Sequence, residues 1–161
     1  MRSRRLRLSS RAIEYLLVVL KRSRDKGYAR QYELIEDLGI SRPTASLMVK
    51  KLKQIGYLRV DGGKIRLSRV GMKLIRELVW KHGIIESALY ELGLTREGAC
   101  RIAWRIVQEI PVNDAERIWI KLGSPRSCPC GKQIPSIHEE VSVEEIETCM
   151  IFKSCQRSPR L

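Results

Sequence analysis

The 161-residue sequence lacks the features that mark membrane, secreted or catalytic proteins. It has no run of eighteen or so apolar residues, the length that a membrane-spanning helix needs. No secretion-signal core follows the basic start, so we expect a cytoplasmic protein. It has only two histidines, no glycine-rich phosphate loop and no convincing nucleophile–base pair. We therefore expect a protein that is not an enzyme.

Acidic residues are also scarce. The chain has 18 Asp and Glu against 31 Lys and Arg, a formal net charge of +13. Such an excess favours polyanionic partners, most often nucleic acid and sometimes an anionic membrane surface. Charge alone specifies no target, since ribosome-associated and other basic proteins share it.

Local signals in residues 9–70 predict a winged helix-turn-helix after a basic arm, residues 1–8. Ser9 or Ser10 can cap a first helix, and "RQYELIEDLG" is typical of a short second one. Ser41 caps a third helix that has Pro43 in its first turn. Apolar and polar residues alternate in "YLRV" and "KIRLS" around "DGG", which predicts a hairpin.

A second, helical unit is predicted over residues 71–123, so the fold class is mainly α. Its helices are "RVGMKLIRELVWKHGIIESALYELG", "TREGACRIAWRIVQEI" and "NDAERIWIKLG", the last with Asn113 and Glu116 at capping-box spacing. Residues 124–161 form a tail that contains cysteines. Ser142 and Glu145 have the same spacing at the start of "SVEEIETCMIFK", which predicts one last short helix.

The third helix has the features of a DNA-recognition helix, whose N-terminal residues contact base edges in the major groove. Hydroxyls, one arginine and one proline stand there, lysines follow, and the wing and arm add further positive charge. The candidate DNA contacts are Arg2, Arg4, Arg5, Arg7, Ser41, Arg42, Pro43, Thr44, Ser46, Lys50, Lys51, Lys64 and Arg66. Winged helices also dock proteins, so a protein-interaction module is the alternative from another class.

Six segments carry a family resemblance: "IEYL", "GYAR", "SRPTASLMVKKLKQIGYL", "LSRVGMKL", "KHGIIESAL" and "CPCGKQIP". Their order and spacing over residues 10–135 resemble the diphtheria toxin repressor family of iron- and manganese-dependent transcriptional regulators. The resemblance implies a homodimer, joined through a helical dimerisation domain, that binds a palindromic operator in double-stranded DNA. It also implies a divalent cofactor (Mn, Fe or Zn), and it fits the two-domain form without the SH3-like domain.

The resemblance implies a metal site that is partly degraded in this chain. Matched position by position, the ligands that remain are Glu14, His82, Glu86 and Cys100. His82 and Glu86 are four residues apart and share a helix face. Where the family has a glutamate and a histidine, this chain has Ala103 and Trp104, and neither side chain can bind a metal. A core position for Cys100 is the interpretation we favour.

The tail offers a second candidate site for zinc or redox chemistry, at Cys128, Cys130, Cys149 and Cys155, with His138 between them. These side chains are enough soft ligands for tetrahedral zinc. Only one residue separates the cysteines of "CPCG", fewer than in a zinc knuckle, so a disulfide switch and unrelated thiols stay open. A metal-independent or thiol- or zinc-responsive regulator is therefore the alternative within the DNA-binding class.

Overall fold

The structure is a computed structural model that describes residues 7–149. Its elements are α1 (Ser10–Lys26), α2 (Gln31–Leu38), α3 (Arg42–Gln54), β1 (Leu58–Asp61), β2 (Lys64–Leu67), α4 (Arg69–Glu91), α5 (Arg96–Ile106) and α6 (Val112–Lys121), followed by a short 3₁₀ turn, Val143–Glu145. The mainly α class predicted from the sequence is confirmed. No helix within residues 7–149 is long and apolar enough to cross a membrane.

The first three helices and the hairpin form the predicted winged helix-turn-helix. α1 is the centre of its core, because an unbroken buried stretch runs from Ala12 to Leu20. α2 and α3 pack on α1 and on each other. Ser9 accepts a hydrogen bond from the Ala12 amide at the start of α1, and Ser41 does the same for Thr44 at the start of α3.

The hairpin is the wing, and its turn depends on two glycines. Gly62 and Gly63 have φ values of 52° and 70°, which a two-residue turn of this hand requires. The register places Leu58 opposite Leu67, Arg59 opposite Arg66, Val60 opposite Ile65 and Asp61 opposite Lys64. Ala29 and Ile65 exchange two backbone hydrogen bonds of 2.8 Å, which fix the wing to the segment before α2.

α4 connects the winged helix to the rest of the chain. It continues through Gly83 without a break for 23 residues. A Cβ at Gly83 would lie 2.7 Å from Ile134 Cγ1, so the glycine allows the loop after α6 to approach α4 closely. α5 and α6 pack along α4 and complete the helical unit.

The predicted capping box of Asn113 and Glu116 is wrong. α6 begins at Val112, two residues earlier than the pattern implied, because the Ala115 amide already donates to the Pro111 carbonyl at 3.0 Å. Asn113 thus lies inside the first turn, and no side chain caps this helix. Thr95 caps α5, accepting from the Gly98 amide at 3.1 Å.

The helix predicted from Ser142 onward is also wrong over the part that the structure describes. The Ser142–Glu145 capping pair forms, but only one 3₁₀ turn follows, and the backbone becomes extended at Ile146. Ile146 and Cys149 are both buried, three residues apart, where the chain lies against the core. Tertiary packing of these two side chains therefore overrides the local helical pattern. The remaining residues of the prediction, 150–153, lie outside the described range.

The tail is attached to both units of the protein. Arg24, near the end of α1, donates two hydrogen bonds of 3.2 and 3.1 Å to the Glu144 carbonyl. On α4, Arg76 donates to the Glu139 carbonyl. Residues 139–149, here called the strap, therefore run from α4 across α1, and the side chain of Ile146 within the strap is buried.

A buried carboxylate stabilises the junction between α1 and α2. Glu33 accepts a 2.6 Å hydrogen bond from Lys26 Nζ and a 2.7 Å bond from the Arg30 amide. Burial alone would raise the pKa of Glu33, but these two bonds, with the charges of Lys26 and Arg22, hold that pKa below its usual range. The ionised form of Glu33 is therefore favoured by folding.

We expect that the stability of the Glu33→Gln variant changes less with pH in the acid range than the stability of the wild-type protein. Because the pKa of Glu33 is lower in the folded state, ionised Glu33 stabilises the protein at pH values above its unfolded-state pKa of about 4.3. This contribution is lost as the pH falls through the folded-state pKa. At pH 7 the variant should melt roughly 5 °C below wild type, and the gap should close below about pH 4. Thermal unfolding followed by circular dichroism, from pH 7 to below about pH 4, measures this difference in melting temperature. The control is Glu36→Gln on the same helix, whose side chain is 70 % exposed; an equal effect there would contradict the assignment.

Candidate metal centre and nucleic-acid interface

One face of α3 is buried and the opposite face is open to solvent. Ala45, Val49 and Leu52 pack inward. The predicted contacts on this helix all lie on the open side: Ser41, Arg42, Pro43, Thr44, Ser46, Lys50 and Lys51 are exposed. Lys53 and Leu47 are exposed with them, and Leu47 retains 70 % of its accessible surface. A protruding helix with this composition can enter a major groove.

Three hydroxyls of this face already have partners within the protein. The Ser41 hydroxyl accepts from the Thr44 amide at 3.3 Å and lies 2.7 Å from the Thr44 hydroxyl. Ser46 accepts from the Gln31 side chain at 2.7 Å, a bond between α2 and α3. Arg42 and the lysines extend from the same face without such bonds among those described.

The wing carries Lys64 and Arg66 in a cluster that the sequence reading missed. Tyr28 lies at its centre, with Lys64 Nζ 5.1 Å and the Arg66 guanidinium carbon 5.7 Å from the ring centroid. Lys26 and Arg30 also lie at 5.1 Å from that ring. Cations at this distance are attracted to the ring face. The sequence pattern that could have predicted this cluster is "KGYAR", in which an aromatic residue stands between two basic ones.

The arm is described only from its end. Arg7 is exposed and forms an ion pair with Glu109. The predicted contacts Arg2, Arg4 and Arg5 lie outside the described residues. Leu8 is buried, and its amide and carbonyl both bond to the Gln108 side chain, at 3.0 and 2.8 Å. The arm therefore starts from a fixed point beside the segment after α5.

His82 and Glu86 share one face of α4, as predicted, and point into the core. His82 Nδ1 lies 3.6 Å from Glu86 Oε2, and both side chains are almost completely buried. Trp104 stacks on the imidazole with 4.1 Å between ring centroids. Trp104, which occupies the position of a ligand histidine of the family, therefore packs against one face of the His82 ring.

Cysteines from three parts of the chain meet at this point. Cys100 Sγ lies 3.6 Å from His82 Nε2. Donor atoms of Glu86, Cys100, Cys130 and Cys149 all lie within 4.8 Å of one another. The two candidate sites predicted separately, one in the helical unit and one in the tail, thus share a single location. None of the cysteines among residues 7–149 is in a disulfide.

Two predicted ligands are not part of this group. Glu14 is buried on α1 but bonds to Arg11, whose Nη1 donates to it at 2.8 Å. Cys155 lies outside the described residues. Cys128 is buried next to the group, within hydrogen-bond reach of the Cys130 and Cys149 thiols. Cys100 is buried, as the core interpretation implies. Its sulfur also lies close to the donor atoms of the other three residues.

Burial sets the electrostatics of the cluster. It lowers the pKa of His82 to about 4, so the imidazole is neutral at pH 7 and its contact with Glu86 is not an ion pair. Burial raises the pKa of Glu86 to about 7. Hydrogen bonds from the Cys130 and Cys149 thiols lower the pKa of Cys128, which favours a thiolate there. The site therefore gathers several acidic groups in a buried place.

A winged helix joined to a helical unit with a cluster of metal-ligating groups defines a class, the metal-dependent DNA-binding regulators. The chain belongs to the iron-dependent repressor family. Its residues 7–64 match the family's N-terminal DNA-binding domain, and residues 68–136 match its metal-binding and dimerisation domain. The resemblance found in the sequence is thus confirmed, and no SH3-like domain is among the matches.

Curated relatives are transcriptional regulators. An uncharacterized regulator of the helix-turn-helix type from Aeropyrum pernix is 27 % identical over 78 % of this chain and 71 % of its own length. The regulator MntR of Lysinibacillus sphaericus is 30 % identical over 65 % of this chain and 72 % of its own length. In the MntR of Escherichia coli O6:H1 the match covers 59 % of that protein's length.

Solved structures show the same architecture. The regulator ScaR with bound Zn²⁺ superposes with a TM-score of 0.70 at 26 % identity, over 88 % of this chain and 67 % of that one. A hypothetical protein from Sulfolobus solfataricus has a TM-score of 0.69 at 28 % identity and is covered along its whole length. These likenesses include both the winged helix and the helical unit.

The donors present fit a divalent metal, but not one that prefers oxygen. Ala103 and Trp104 are buried apolar residues at two positions where the family's ligands are expected. Three thiols and one carboxylate stand within ligand reach of one another instead. Thiolates suit zinc and iron, whereas carboxylate and carbonyl oxygens suit manganese.

Proposed function

We propose that this chain is a homodimeric transcription regulator that binds a palindromic operator through α3 and the wing, and that a divalent transition ion controls its affinity. The observation that carries the proposal is the exposed basic face of α3. The opposite face of α3 is buried and packs on α1 and α2, which fixes the position of the exposed face. Membership of a family with a DNA-binding domain and a metal-binding and dimerisation domain supports both parts.

Two kinds of contact follow from the positions of the side chains. Lys50 and Lys51, further along α3, are placed to neutralise phosphates, which gives affinity for any sequence. Arg42 is in the first turn, where recognition helices contact base edges, and its guanidinium can read a guanine. Leu47, exposed on the same face, can contact a thymine methyl.

Neutralising the two lysines should weaken DNA binding irrespective of sequence. For Lys50→Gln with Lys51→Gln we expect about a tenfold loss and a salt slope of log K that is shallower by about 2. Fluorescence anisotropy at several salt concentrations, on a selected operator and on a scrambled duplex, measures both quantities. The matched control is Lys121→Gln, an exposed lysine in the last turn of α6. Equal salt slopes for the double lysine variant and for Lys121→Gln would mean that DNA does not bind along Lys50 and Lys51.

Arg42→Ala should instead reduce the preference for the operator. A lost contact to a base is worth about 1–3 kcal/mol, so affinity for the operator should fall roughly 5- to 150-fold and affinity for the scrambled duplex much less. If neither this variant nor removal of residues 1–7 alters selective binding, the winged helix is a protein-docking module instead.

A further inference from the structure

The cluster of Glu86, Cys100, Cys130 and Cys149 is built from segments far apart in sequence. Glu86 comes from α4 and Cys100 from α5, Cys130 from the loop after α6, and Cys149 from the end of the strap. The donor atoms nonetheless lie within 4.8 Å of one another. Cys149 is thirteen residues beyond residue 136, the last one matched to the family's metal-binding domain. Cys149 is therefore a ligand candidate outside the family match, whereas Glu86, Cys100 and Cys130 lie within it.

Glu86 supplies an independent sign that the cluster can take up a cation. Its side chain is completely buried. One oxygen, Oε1, accepts a 3.2 Å hydrogen bond from the Cys130 amide. The other, Oε2, has no hydrogen-bond partner among residues 7–149, and His82 Nδ1 lies 3.6 Å from it. A buried carboxylate oxygen without a partner is costly, and a cation would satisfy it.

The chemistry of the donors selects the ion. Zinc binds sulfur at about 2.3 Å, which in a tetrahedron places ligand atoms about 3.8 Å apart, a modest contraction from the present limit of 4.8 Å. Three thiolates and a carboxylate are a tetrahedral set that zinc accepts and manganese does not favour. Cys128, whose sulfur accepts hydrogen bonds from the Cys130 and Cys149 thiols, lies directly beside the set.

We infer that Cys100, Cys130, Cys149 and Glu86 form a closed, thiolate-rich site for Zn²⁺, which replaces the family's two lost ligands with side chains of the tail. The inference rests on the proposed function and deepens it, because it names the ion and the regulatory site. Binding displaces the thiol protons to solvent and joins α4, α5 and the strap through one ion.

Cobalt is the probe that reports on the site directly. The full-length protein, reduced and freed of metal, is titrated with Co²⁺ and followed by absorption spectroscopy. We expect the intense visible bands of tetrahedral cobalt and the near-ultraviolet sulfur-to-cobalt bands, saturating at one ion per chain, with Zn²⁺ displacing the cobalt. Mn²⁺ should leave the spectrum unchanged. An octahedral cobalt spectrum, or none, would overturn the inference.

Single cysteine variants distinguish this site from one made by the tail alone. Cys100→Ser and Cys149→Ser should each lower zinc affinity at least about a hundredfold, since removing even an outer-shell partner costs 10- to 100-fold. Cys155→Ser is the matched control and should bind zinc like wild type. If Cys155→Ser loses affinity and Cys100→Ser does not, the site is overturned in favour of a four-thiol tail. Cys130→Ser, in a half-buried loop position, repeats the test should a core variant fail to fold.

Operator binding, measured on the same samples, separates the two proposals. Zinc binding with the expected spectrum but without any effect on operator affinity leaves the site in place and overturns metal control. Operator binding by a protein that takes up no zinc or cobalt overturns the site and leaves the DNA-binding function standing.

Discussion

Replacing Gly71 with alanine will lower the free energy of unfolding by about 2 to 3 kcal/mol, although alanine is the better helix former. A Cβ at this position would clash with the Tyr57 carbonyl oxygen and would lie 3.0 Å from the Tyr57 carbonyl carbon. Both are backbone atoms, so no side-chain rotation relieves the clash, and overpacking of this kind costs about 1–3 kcal/mol or more. The same carbonyl accepts from the Ser68 amide at 2.9 Å, so the junction between the wing and α4 must shift.

Urea denaturation followed by circular dichroism measures this loss. Val70→Ala is the control, because Val70 is the adjacent residue of α4 and is 61 % exposed. It should change stability by less than about 0.5 kcal/mol. Comparable midpoints for the two variants would mean that α4 does not start against the Tyr57 carbonyl.

Truncating Ile146 to alanine should cost about 2–4 kcal/mol, a value typical of a large aliphatic residue removed from a core. Its side chain is completely buried although it lies in a segment with almost no regular structure. Because Ile146 holds the strap near α1, the variant should also bind zinc more weakly, since the position of Cys149 is no longer set in advance.

Denaturation curves with and without zinc test both statements. Glu140→Ala is the control from the same strap, with a side chain that is 94 % exposed, and should behave like wild type. A stable Ile146→Ala variant with normal zinc affinity would show that the strap contributes neither to the core nor to the site.

The winged helix could be predicted because its signals are local. Ser9 and Ser41 cap the helices they precede, and the two glycines of the wing have the positive φ values that "DGG" implied. Each of these features depends on residues within a few positions of each other. The buried face of α3 followed from helical periodicity for the same reason.

The candidate metal centre could be predicted only in parts. His82 and Glu86 lie one turn apart and were paired correctly by spacing. That Cys149 reaches Cys100 depends on the path of the strap, and that path is set by the burial of Ile146, which no local pattern encodes. The same burial explains why the helix predicted there is absent among the described residues. Glu14, the ligand candidate on α1, is not part of this donor group and instead pairs with Arg11, three residues earlier.

The route of the strap also bears on how the protein is made. A ribosome delivers the winged helix first, the helical unit second and Cys149 last, so the donor set stays incomplete until that final stretch has left the exit tunnel. A chain interrupted before residue 149 would keep its recognition helix and lose a ligand of its proposed sensor. The proposed metal-binding group is therefore completed only after the winged helix and the helical unit have been synthesised.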